Sequence, residues 1–97
     1  MLETIEETPE GVQVAVDVLN EQGLHARPAA RLAQEAQRFA ARMSLVVDEA
    51  EVDAKSILDI LSLAAAKGTR IVVRASGDDA HAAVEHIAAL FNNRFRE

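Results

Sequence analysis

Residues 12–33 read VQVAVDVLNEQGLHARPAARLA, and the change of rhythm inside this stretch sets the architecture. Val12, Val14, Val16 and Val18 alternate with Gln13, Ala15 and Asp17, the period of a strand with one face buried and the other exposed. Asn20-Glu21-Gln22-Gly23 then supplies turn chemistry. Beyond it the period becomes helical. Ala29, Leu32, Ala33, Ala36, Phe39 and Ala40 fall on one stripe, with Arg31, Gln34, Glu35 and Arg38 opposite. Pro28 suits a first helical turn, where its missing N–H costs nothing, so the spacing predicts a helix starting near His25 or Ala26.

The same two periods alternate downstream. Met43, Leu45 and Val47 give a second strand, Asp48–Glu51 a polar hairpin tip, and Val52 to Ala54 a short third strand. Ser56-Ile57-Leu58-Asp59 reads as a capping box, in which the serine oxygen accepts from a first-turn N–H while the carboxylate reaches back. The second helix it opens is expected to end at Gly68, as a left-handed cap. Thr69 to Ala75 form a fourth strand. Ser76-Gly77-Asp78-Asp79 turns and caps a third helix, whose stripe is Ala80, Ala83, Val84, Ile87, Ala88 and Phe91. Residues 92–97 are expected to fray. One-faced strands and one-striped helices pack as two layers, so the expected class is α+β: one sheet with helices on a single side. Residues 1–10 read as a flexible acidic tail and residues 11–97 as a single domain.

Composition removes several functions. A chain of 97 residues supports one domain and leaves no room for a large substrate cleft. With no cysteine there are no disulfides or thiolate metal sites, and a reducing, cytoplasmic setting is expected. Sixteen Asp and Glu against ten Lys and Arg argue against nucleic acid as a partner, and three Phe without Trp or Tyr make no base-stacking platform. No apolar run reaches the roughly 18 residues of a membrane span, and the start lacks the pattern of a signal peptide. His81 and His86 are about 140° apart around a helix axis and cannot share a metal, so both read as solvated and no metal site is expected. Phe39 and Phe91 read as core.

His25 is the residue with chemical potential. It sits where a turn meets a helix start, whose free N–H groups and positive dipole end favour an anion. Arg27, two residues on, can point back at the same place. Imidazole is a competent nucleophile near neutral pH, and a phosphoryl group on it would add nearly two negative charges. The dipole end would contribute about 0.3–1 kcal/mol toward holding them, and a charge-assisted hydrogen bond from arginine roughly 1.5–3 kcal/mol. The residues alone leave the alternative open that His25 is an ordinary loop histidine.

Gly23-Leu24-His25-Ala26-Arg27-Pro28-Ala29-Ala30 resembles the active-site signature of HPr, the histidine-containing phosphocarrier family of the bacterial phosphotransferase system. Asp53-Ala54-Lys55-Ser56-Ile57-Leu58 resembles the family's serine region, Ser62 to Thr69 its second-helix exit, and Ser76 to Ala80 its last turn. The resemblance runs over roughly residues 12 to 95, and the ending, Ala88 to Phe95, looks like the nitrogen-related NPr branch. It implies an open-faced β-sandwich with a four-stranded antiparallel sheet and three helices on one face. It also implies a carrier rather than an enzyme, without a cofactor. Enzyme I would load His25 through Nδ1, with Arg27 as phosphate partner, and a IIA-type protein of a sugar or nitrogen branch would unload it. The implied docking surface is Leu24, Arg27, Arg31, Lys55, Ser56 and Ile57, with Leu58 and Leu61 open between docking and core. In part of the family a serine kinase/phosphorylase modifies the residue matching Ser56; the competing reading is that Ser56 is simply an N-cap. A monomer is the family expectation. A regulatory binding module, whose phosphorylation state is the message, is the alternative to the carrier.

Overall fold

A computed structural model describes residues 4–96. The elements run β1 (Glu6–Thr8), β2 (Gly11–Asp17), α1 (Ala26–Ala36), β3 (Arg42–Val47), β4 (Ala50–Asp53), α2 (Ile57–Ser62), β5 (Arg70–Ser76) and α3 (Ala80–Asn92). The strands form one antiparallel sheet in the order β1-β2-β5-β3-β4. Register follows the apolar pattern. Val14 and Leu45 flank Val73 from β2 and β3, and Val16 faces Ile71, so one layer of side chains points inward. α1 and α3 close over that layer with Leu32, Ala33, Val84, Ile87 and Phe91, all buried. Burying each large apolar side chain there is worth about 1.5–3 kcal/mol. The opposite face stays open and polar. Arg70 grips Asp17 at 3.0 and 3.1 Å, Ser44 donates to Glu51 at 2.6 Å, and Arg74 donates to Gln13 at 3.0 Å. The α+β open-faced sandwich is therefore present.

The sheet has five strands rather than four. The extra one is β1, drawn from residues expected to be tail. Its Glu6 and Glu7 carry no apolar alternation, which is why pattern reading passes over them; the strand is held at the edge by backbone pairing to Gln13 and Val12. Gly11, which follows the turn, lets β2 start close against β5, because a Cβ there would lie 2.1 Å from the Ala75 carbonyl oxygen. Residues 1–3 of the expected tail, and Glu97, lie outside the described residues.

Other boundaries shift for local reasons. α1 stops at Ala36, so Phe39 only half-buries and Ala40 is exposed. The chain leaves the helix there because the Asp79 carboxylate accepts the amides of Ala40 (2.9 Å) and Ala41 (2.8 Å). Asp79 thus clamps the exit of α1 instead of capping its own helix with its side chain. β4 begins at Ala50, leaving a two-residue tip at which Asp48 takes φ +53°. α2 ends at Ser62, well before Gly68, and Ala64 takes the positive φ (+50°) that follows its end. Gly68 instead turns the chain into β5, its amide donating to Val18 at 2.8 Å. Residues 92–96 do not fray. Arg94, Phe95 and Arg96 all have positive φ, at a cost of roughly 1–2 kcal/mol each. Phe95 offsets this: it is buried edge-on against Phe91, ring centroids 4.9 Å apart, and Asn20 donates to the Arg94 carbonyl at 2.8 Å.

Candidate phosphoacceptor site

The site begins with the two residues before His25. Gly23 has φ +70°, and a Cβ there would meet the Ala65 carbonyl oxygen at 2.3 Å, so glycine is required. Leu24 donates its amide to that same carbonyl at 2.9 Å and is buried at 4% exposure. Leu24, expected on the docking surface, is instead core: it pins the loop to the exit of α2. His25 follows as the N-cap of α1, extended at φ −78°, ψ −168°, and half-buried. Its carbonyl accepts the Ala29 amide at 3.0 Å, while its side chain does not cap the helix. The first amides of α1 therefore keep no intrahelical acceptor, and Pro28 has no N–H to add. Arg27 is exposed one position into the helix.

Arg27 and Arg31, one turn apart, meet Arg96 around a shallow depression of about 350 Å³ floored by Pro28, Ala30 and Phe95. Arg31 also pairs loosely with Glu35 at 3.6 Å. A larger depression of about 730 Å³ lies on the open face of the sheet, lined by Gln13, Arg42, Ser44, Glu51 and Arg74 among others; none of its lining residues belongs to α1, the helix that His25 caps.

The remaining expected residues cluster at the other end. Lys55 donates Nζ to the Phe39 carbonyl at 2.7 Å, and Gln37 donates to the Lys55 carbonyl at 2.9 Å. Both contacts fall just past the C-terminal end of α1, an 11-residue helix about 16 Å long. Lys55 and Ser56 are thus separated from His25 by roughly the length of that helix, and the Lys55 charge is already engaged. Ser56 caps α2, its Oγ accepting the Asp59 amide at 3.2 Å. The reciprocal half of the expected capping box is absent among the described residues: Asp59 accepts from the Asp53 amide at 3.2 Å instead. Between the two ends Ile57, Leu58 and Leu61 stand out of α2, Leu58 at 79% exposure. Spacing of 57, 58 and 61 places them on one helix face, which pattern reading cannot tell from a buried stripe.

His86 corrects a second expectation. It is not simply solvated: Nε2 lies 2.6 Å from Glu35 Oε1, and the ring tilts against Phe39 at 5.6 Å. That contact ties α3 to α1, and with Arg38 it holds the Glu35 carboxyl below its ordinary range. His81 is exposed. Among the described residues no three His, Asp or Glu gather as a metal site, and no helix is long and apolar enough to cross a membrane.

The His25 imidazole stands half-buried at a helix start, where another protein can reach it. The fold and a histidine so placed fit the class of phosphocarrier domains. Comparison with known proteins agrees: residues 12–93 match the family described as the PTS HPr component phosphorylation site. The chain belongs to the HPr family, and is a phosphocarrier of the phosphotransferase system rather than an enzyme. It is 45% identical over 80 residues to phosphocarrier protein HPr of Xylella fastidiosa, covering 82% of this chain and 90% of that one. It is 40% identical over 87 residues to phosphocarrier protein NPr of Escherichia coli, covering 89% and 97%. The HPr structure from Thermoanaerobacter tengcongensis superposes with a TM-score of 0.85 at 36% identity, covering 88% and 96%.

Proposed function

We propose that His25 is the phosphoacceptor, loaded by phosphorylated enzyme I and unloaded onto a IIA-type protein. The observation that carries this is the placement of His25 as N-cap of α1, ahead of first-turn amides that lack intrahelical acceptors. The neutral imidazole attacks phosphorus through Nδ1. The new P–N bond forms as the donor's bond to phosphorus breaks, and the positive charge stays on the ring. Arg27 and the helix start take the added negative charge. Protonating the ring removes the attacking lone pair, so acidification slows loading.

Leu58, Ile57 and Leu61 support a docking role for α2, since an exposed apolar face is unusual on a small monomer. A regulatory role through a serine kinase/phosphorylase at Ser56 is less supported, because the Ser56 oxygen already caps α2. Incubation with phosphoenolpyruvate and enzyme I should give an acid-labile, base-stable phosphoprotein, and His25→Ala should abolish it. Undiminished labelling of His25→Ala would overturn the assignment.

A further inference from the structure

We propose that Arg96 is a docking residue for the phosphotransfer partners, which joins the C-terminal turn to the surface around His25 and selects partners presenting carboxylates. This rests on the phosphocarrier reading and extends it to a segment that reading does not use. Three features carry it. First, the turn at Arg94 to Arg96 is built against intrinsic preference, with three successive non-glycine residues at positive φ. Phe95 is buried at 4% and Asn20 holds the Arg94 carbonyl, so the turn has one defined shape rather than many. Second, that shape brings Arg96 to the depression already edged by Arg27 and Arg31. Third, the protein carries a formal charge of −6, yet this depression gathers three arginines.

Pro28, Ala30 and Phe95 give the depression its apolar lining, and the three arginines, with Gln34, its polar one. A protein surface with carboxylates placed around a small apolar contact fits both parts. A free anion would use the rim only. Arg96 is exposed, so its contribution is that of a rim charge: it raises the rate of productive encounter and makes it salt-dependent. Arg27 belongs to the chemistry as well as to the rim; Arg96 belongs to the rim alone.

The test uses the whole chain as the substrate of phosphorylated enzyme I, with initial rates taken over a range of carrier concentrations. Arg96→Glu should raise KM about fivefold or more while kcat stays within about twofold, and Arg96→Lys should restore most of the loss. The KM of the wild type should climb with salt more steeply than that of Arg96→Glu. Comparable KM and salt dependence in Arg96→Glu and wild type would overturn the proposal while leaving His25 labelling intact. Absence of labelling in the wild type would instead overturn the phosphocarrier site and this docking role together. Arg96→Glu that weakens binding of inorganic phosphate to the free protein but leaves KM unchanged would make the depression a simple anion pocket, which also overturns it. Arg96→Gln, which removes the charge without reversing it, guards against misfolding as the cause of an effect; it should shift KM in the same direction by less.

Discussion

At the residue scale, Arg27 offers a way to separate the proposed chemistry from folding. Its side chain is exposed, so Arg27→Ala should leave the thermal midpoint nearly unchanged. It should slow loading of His25 by roughly 10- to 100-fold, the loss of one charge-assisted hydrogen bond of about 1.5–3 kcal/mol. Single-turnover transfer from phosphorylated enzyme I, beside a melting curve, reads both. The places of His25 and Arg27 at the start of α1 are legible in the sequence, because a turn, a proline and a helical period fix where they stand. Those of Leu24 and Lys55 are not. Whether a leucine beside a functional residue faces out or in depends on Ala65, forty-one positions away, and the Lys55 ammonium finds a carbonyl on another element. Local patterns do not encode such partners.

At the scale of elements, Asp79 joins the exit of α1 to the entry of α3. The amides of Ala40 and then Ala41 hold its carboxyl below the ordinary value of 3.8. A folded value below the unfolded one stabilises the fold above pH 3.8, and that contribution is lost as pH falls through the folded value. Stability measured by urea unfolding along a falling pH series should therefore drop less steeply in Asp79→Asn, whose side chain does not titrate. Equal slopes in both proteins would show that the clamp carries no such linkage. Most elements could be read from period alone, since each buries one face. β1 could not, because an edge strand of Glu6, Glu7 and Thr8 has no face to bury. The end of α1 falls short of its stripe for the converse reason: the apolar pattern continues past Ala36, while Asp79 supplies a competing acceptor for the backbone.

For the molecule as a whole, Phe91 is the largest fully buried side chain and the platform for Phe95. Phe91→Ala should cost about 3–5 kcal/mol in urea unfolding. It should also release the C-terminal turn, so limited trypsin should cut after Arg94 much sooner than in the wild type. A variant that loses stability but keeps the wild-type cleavage rate would show that the turn is held by Asn20 alone. The layer arrangement was legible because one-faced elements have few ways to pack. The C-terminal turn was hidden because three non-glycine residues in left-handed conformation run against every local preference.

The anchoring of Gly23 and Leu24 against Ala65 has a consequence for how two proteins meet. With the backbone ahead of it packed and bonded in this way, His25 is expected to keep its place as a docking partner approaches. The whole body has to be aimed, and the backbone of the free molecule then serves, nearly unaltered, as the template for its complexes.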